Sequence, residues 1–165
     1  MVKKTIILAS LLCTVPLQAE VTNTADNGFT VRHQAKVNAS AEDVWKAMIA
    51  PARYWNPDHS WTGKGENFYL VPQAGGCFCE IEGEKQVLHM TVSFVNPGSE
   101  VRMIGGLGPL QMMGISGGMS WKFEVLDNGN TKIIHRYQVS GAIKGGLDKL
   151  APIVNKVQTM QVDSL

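Results

Sequence analysis

This chain is short of several things that would commit it to a function. It has no basic run: 15 Lys and Arg stand against 14 Asp and Glu in 165 residues. That balance gives no electrostatic reason to expect nucleic acid or an anionic membrane surface as partner. Beyond the N-terminus no apolar stretch approaches the ~20 residues of a spanning helix, so no stable membrane span is expected. Cysteine is scarce, three in all, and His59, His89 and His135 fall at no recognisable zinc spacing; no metal and no cofactor are expected. No serine sits in a Gly-x-Ser-x-Gly elbow, which removes support for a serine hydrolase. Gly106-Leu107-Gly108 has neither a third glycine nor a following Lys-Ser/Thr, so it is no nucleotide loop. There is no internal repeat or linker, and 44% hydrophobic with 18% charged residues suits one ordinary domain.

What is present begins with a leader. Met1-Val2-Lys3-Lys4 is a short basic segment, Thr5 to Val15 an apolar core, and Pro16-Leu17-Gln18-Ala19 a breaker and a small residue. This layout reads as a secretory signal peptide over residues 1–19, cleaved after Ala19, and predicts a periplasmic or secreted protein. Leu12 precedes Cys13 where lipoprotein signals carry a small residue, so a free product is expected. The mature chain then holds 13 basic and 14 acidic residues and only Cys77 and Cys79. Residues 20–28 are polar and expected to be disordered, leaving residues 29–165 as the domain.

Hydrophobic alternation marks the strands. Phe29, Val31, His33, Ala35 and Val37 share one face of a first strand. Ser40 is placed to cap a helix whose stripe is Val44, Trp45, Met48 and Ile49, ended by Pro51. Further strands are expected at 66–71, 76–82, 86–95, 100–104, 120–126 and 131–140, the last two joined by the Asp127-Asn128-Gly129-Asn130 turn. A helix from Asp148 through Leu165 closes the chain. Strand, helix, six strands and a long helix predict an α+β fold with the helices on one face of an antiparallel sheet.

The stretches Val37 to Trp45, Ala74-Gly75-Gly76-Cys77-Phe78, Val95-Asn96-Pro97-Gly98 and the terminal helix resemble the START-like helix-grip superfamily, also called SRPBCC or polyketide cyclase/dehydrase-like. Gly105-Gly106-Leu107-Gly108-Pro109-Leu110 resembles a secreted bacterial subgroup. The resemblance implies an antiparallel sheet curled around a long C-terminal helix, enclosing a cavity for hydrophobic small molecules. Relatives of this kind are carriers, cyclases, hydrolases or regulators of heat-shock ATPases. The last role fits poorly with export, because that ATPase partner is cytosolic.

Several residues stand out as candidates for the site. Residues i and i+2 of an extended strand lie about 6.6 Å apart, so a Cys77–Cys79 disulfide needs a bulge. Two thiols facing the concave side or packed against a helix are the first expectation, a strained disulfide the second and a metal clamp the third. If Phe78 faces inward instead, Glu80 becomes a buried carboxylate. His33, His135 and Tyr137 turn polar groups onto otherwise apolar faces, as pockets with a few orienting groups do. Trp45, Trp121 and Met113 are the expected apolar contacts. Trp55 and Trp61 lie in a loop expected to cover the pocket, and His59 beside Asp58 is a candidate base. Residues 105–119, with six glycines and three methionines, read as a gate.

The first functional expectation is an exported protein holding a hydrophobic small molecule or lipid between sheet and C-terminal helix. The binding set is His33, Trp45, Cys77, Cys79, Met113, Trp121, His135 and Tyr137. The second is a cyclase- or hydrolase-type enzyme with His59 or His135 as general base. The third is an envelope protein-interaction factor whose Met-rich loop is the contact surface.

Overall fold

In the structure, a computed structural model that describes residues 18–165, the first described element is a strand. β1 (Gln18–Ala25) pairs antiparallel with β2 (Gly28–Val37). The expected disorder over 20–28 is therefore corrected. This strand carries no apolar alternation and is held by its ladder to β2, with Val21 against the core. The signal it does carry is Asp26-Asn27-Gly28, a tight hairpin turn. The rest of the expected signal peptide, residues 1–17, lies outside the described residues.

Ser40 caps α1 (Ala41–Met48) as its sequence requires: its Oγ accepts from the Asp43 amide at 3.1 Å. Such a cap contributes about 1 kcal/mol. Val44, Trp45 and Met48 are buried, and Trp45 meets Phe123 edge-on. After three short 3-10 turns come β3 (Phe68–Leu70), β4 (Cys77–Glu82), β5 (Lys85–Asn96), β6 (Glu100–Ile104), β7 (Ser116–Val125) and β8 (Thr131–Ser140). They form one eight-stranded antiparallel sheet in the order β1-β2-β8-β7-β6-β5-β4-β3. β7 starts at Ser116, so the last four residues of the expected 105–119 gate are strand and the connection proper is 105–115.

The last helix, α2 (Ala151–Ser164), is preceded by a 3-10 turn at Asp148–Leu150, with Pro152 in its first turn, where a missing N–H costs nothing. It lies against β1 and β2. Its buried residues are Ala151, Gln158, Gln161 and Val162, half of them polar. One apolar core joins both helices to the sheet. The α+β helix-grip architecture read from the sequence is the one observed.

β5 is where the sheet departs from regularity, and this positions the site. Phe78 pairs with Met90 and Cys79 with Leu88, so β5 carries one extra residue, His89, across that step. A second extra residue, Ser93, falls between Val92 and Phe94. Bulges of this kind bend a strand and re-aim a side chain. Here His89 and Met90, neighbours in sequence, are both buried.

Candidate functional site

Opposite that bulge Cys77 and Cys79 form a disulfide, with their Cα atoms 5.5 Å apart. A regular strand would set them about 6.6 Å apart. β4 is thus contracted where β5 is lengthened, and the expectation of free thiols is corrected. So is the expectation that the cysteines take the inner face: Phe78 and Glu80 are buried, and neither cysteine lines the cavity described below.

Glu80 is fully buried and ringed by donors. Its carboxylate accepts from Ser60 Oγ, from the Thr62 amide at 2.6 Å, from the Trp61 amide at 3.1 Å and from His89 Nε2 at 3.1 Å. Burial alone would raise its pKa, but the bonds from Ser60, Thr62 and Trp61 outweigh that and bring it down to about 2. An ionised carboxylate only accepts, so His89 must donate through Nε2 and keeps a lone pair on Nδ1. Burial holds the His89 pKa below the ordinary value, offset in part by Glu80, so the ring is neutral near pH 7. Phe68 and Phe78 pack against the imidazole at 4.9 and 5.3 Å between centroids.

His89 forms part of the wall of a cavity of about 510 Å³. One side is the loop after α1, contributing Trp55, Asp58, His59, Ser60 and Trp61. A second is the 105–115 connection, contributing Leu107, Gly108, Pro109, Leu110 and Met113. A third is α2 and the turn before it, contributing Leu150, Ile153, Val154, Val157 and Gln158; Tyr137 stands behind. The walls are predominantly apolar, and the half-exposed Trp61, Met113 and Ile153 stand at its mouth. Leu110 and Ile115 anchor the connection in the core, the Leu107 amide donates to Tyr137 Oη at 3.1 Å, and Gln111 Nε2 donates to the Leu88 carbonyl at 2.7 Å. Burial pushes the Tyr137 pKa up to about 12, which keeps it a neutral hydroxyl.

Of the residues singled out from sequence, Trp55, Asp58, His59, Trp61, Met113 and Tyr137 line this cavity. Trp45 is a core residue under α1, and Trp121 packs on His135 at 4.2 Å. His33 and His135 are fully buried, stacked 5.5 Å apart, and they hold α2. His33 Nε2 meets Thr159 Oγ1 at 3.1 Å, and His135 Nε2 donates to Gln158 Oε1 at 2.9 Å. Burial, then the neighbouring His33, takes the His135 pKa down to about 3. Neither ring borders the cavity, so His135 is not placed to act as a base on anything inside it. Gln161 completes this row of polar hooks: its Oε1 accepts from the Asn56 amide and its Nε2 meets His59 Nδ1. The helix is held to its neighbours by polar bonds and turns Ile153, Val154 and Val157 to the cavity.

Sequence reading missed His89 and left Glu80 undecided. Alternation places Val87, His89 and Thr91 on one face, and nothing in the residues announces a bulge between them. Among the described residues no group of three His, Cys, Asp or Glu side chains is arranged to hold a metal ion, and no helix is long and apolar enough to cross a membrane.

No family model matches the chain, and no curated protein matches it. Its fold is shared with solved structures at low identity. CalU16 from Micromonospora echinospora is 11% identical, with 90% of this chain and 83% of that one covered at a TM-score of 0.57. A putative uncharacterized protein from Rhizobium leguminosarum is 18% identical over 91% and 95%, TM-score 0.57. A protein from Thermobifida fusca is 15% identical over 82% and 89%, TM-score 0.58. What is shared is the fold alone, an antiparallel sheet gripping a C-terminal helix.

Proposed function

We propose that this chain is an exported protein that binds a hydrophobic or amphipathic small molecule between its sheet, the 105–115 connection and α2. The observation that carries the reading is the cavity of about 510 Å³ with predominantly apolar walls, a size and lining typical of small-molecule sites. The shared fold supports a binding role. Export is supported by the signal-like layout of residues 1–19 and by the disulfide, which belongs in an oxidising compartment. Native mass spectrometry with solvent extraction of protein purified from its producing cells tests the reading. A bound apolar compound, lost in Val157→Trp, is expected; protein that carries none and takes up no neutral fluorescent probe overturns it. Intact mass of the periplasmic fraction is expected to show cleavage after Ala19, and an uncleaved cytoplasmic product contradicts export.

A second reading, acid–base catalysis on the bound molecule, is favoured by one observation: a carboxylate–imidazole pair, Glu80 and His89, stands at the cavity wall. It moves the candidate base from His135 to His89. Turnover of an extracted ligand that disappears in His89→Gln is its expected signature, and a ligand recovered unchanged from wild-type protein contradicts it.

A further inference from the structure

The polar wall of the cavity is selective in sign. Among the described residues no Lys or Arg lines it, and its charged member is Asp58 at the rim. Behind His89 stands the Glu80 carboxylate, 3.1 Å from Nε2. An anionic head group would be desolvated there with no counter-charge and two carboxylates nearby. A cation would fare little better inside, because Glu80 already accepts from Ser60, Trp61, Thr62 and His89 and offers no direct contact. The wall does present an acceptor. Among the described residues the enclosed, unpartnered ring nitrogens are Nδ1 of His33, Nδ1 of His135 and the indole Nε1 of Trp55, a donor shut off from the cavity space. Nδ1 of His89 is not among them, and its ring borders the cavity. A neutral imidazole whose Nε2 proton is committed to Glu80 can only accept through Nδ1. His89 therefore calls for a ligand that donates, and the surrounding charge calls for one that is neutral.

We propose that the ligand is an uncharged amphiphile bearing a hydroxyl, which donates to Nδ1 of His89 while its apolar body lies against Leu110, Val154 and Val157, and that lipids headed by carboxylate or phosphate are rejected. This rests on the binding reading above. Glu80 acts as a positioning residue: it fixes the His89 tautomer and does not touch the ligand.

Displacement of the neutral probe N-phenyl-1-naphthylamine by three ten-carbon competitors tests it at neutral pH. Decanol is expected to compete at a concentration about tenfold or more below those of decanoate and decylammonium, the discrimination of one well-placed hydrogen bond against an unpaired buried charge. Equal competition, or preference for either ion, overturns the proposal while leaving the cavity reading intact. A probe that does not bind at all overturns the cavity reading itself. In His89→Phe the decanol advantage over decanoate and decylammonium is expected to fall to less than about threefold, and an undiminished advantage overturns the proposal. If that variant does not fold, the wild-type chain answers the same question: the His89 Nδ1 nitrogen resonance shifts when decanol displaces the probe, and displacement with no shift contradicts the assignment.

Discussion

Two histidine sites are buried in one sheet, and they differ in what stands behind the ring. His33 and His135, on β2 and β8, have amide and hydroxyl partners from α2, no carboxylate, and unpartnered Nδ1 atoms closed off from solvent. His89, on β5, has a buried carboxylate on one nitrogen and a cavity beside its ring. The first arrangement can only hold a helix in place; protonating it costs stability and reaches no ligand. The second fixes a tautomer and leaves a lone pair on a ring that borders a space large enough for a small molecule. Burial of a polar ring on an apolar face is therefore no sign of function by itself, and the partner on the far nitrogen separates the two roles.

The largest expected effect comes from breaking the second site. Glu80→Ala leaves Ser60 Oγ, two amides and His89 without their acceptor, and urea unfolding should show a loss of about 3–5 kcal/mol. A loss below about 1 kcal/mol contradicts the buried network.

Acid separates the two sites next. His33, His89 and His135 all have folded pKa values below the unfolded value of 6.5, so the unfolded chain binds more protons. Their contribution to stability is complete above pH 6.5 and is lost as pH falls toward the folded values, about 3 for His135. Each such histidine gives a slope of up to about 1.4 kcal/mol per pH unit. Glu80, depressed to about 2, adds its loss only below its unfolded value of 4.5. Unfolding free energies measured between pH 7 and 5 should thus fall with acid, and less steeply in His135→Gln. A flat profile in that window contradicts burial of the neutral rings.

Reduction of Cys77–Cys79 should cost less. The closed loop is only three residues long, and loop entropy of that size amounts to about 1.6 kcal/mol. Because the disulfide contracts β4 opposite the bulge, reduction is also expected to shift the amide resonances of His89 and Glu80 and to leave those of His33 and His135 in place. The reverse pattern breaks the link between the disulfide and the site.

Thr159→Val is the smallest test, about 1 kcal/mol for one hydrogen bond to His33. It should speed hydrogen exchange along α2 and leave probe binding unchanged; unchanged exchange contradicts the role of His33 in holding the helix.

Much of this fold is legible in the residues. Alternation over β2, β7 and β8, the Ser40 cap and the Asp127-Asn128-Gly129-Asn130 turn report local forces that tertiary packing did not override. β1 escaped because an edge strand held by its ladder needs no apolar stripe. The site was less visible. His33 and His135 drew attention because regular strands display them, and regularity is why they sit in the core. His89 was hidden by the extra residue that makes it useful, since a one-residue slip reverses every side chain beyond it. Glu80 and the cysteines shared that ambiguity, which turned on a bulge lying in the partner strand.

Nitrogen-resolved NMR of the four imidazoles measures directly whether His89 is the ring that meets the ligand. At neutral pH His89 should be a pure Nε2–H tautomer whose Nδ1 signal moves on addition of decanol, while those of His33 and His135 stay fixed. Movement at His33 and His135 with none at His89 would contradict the account.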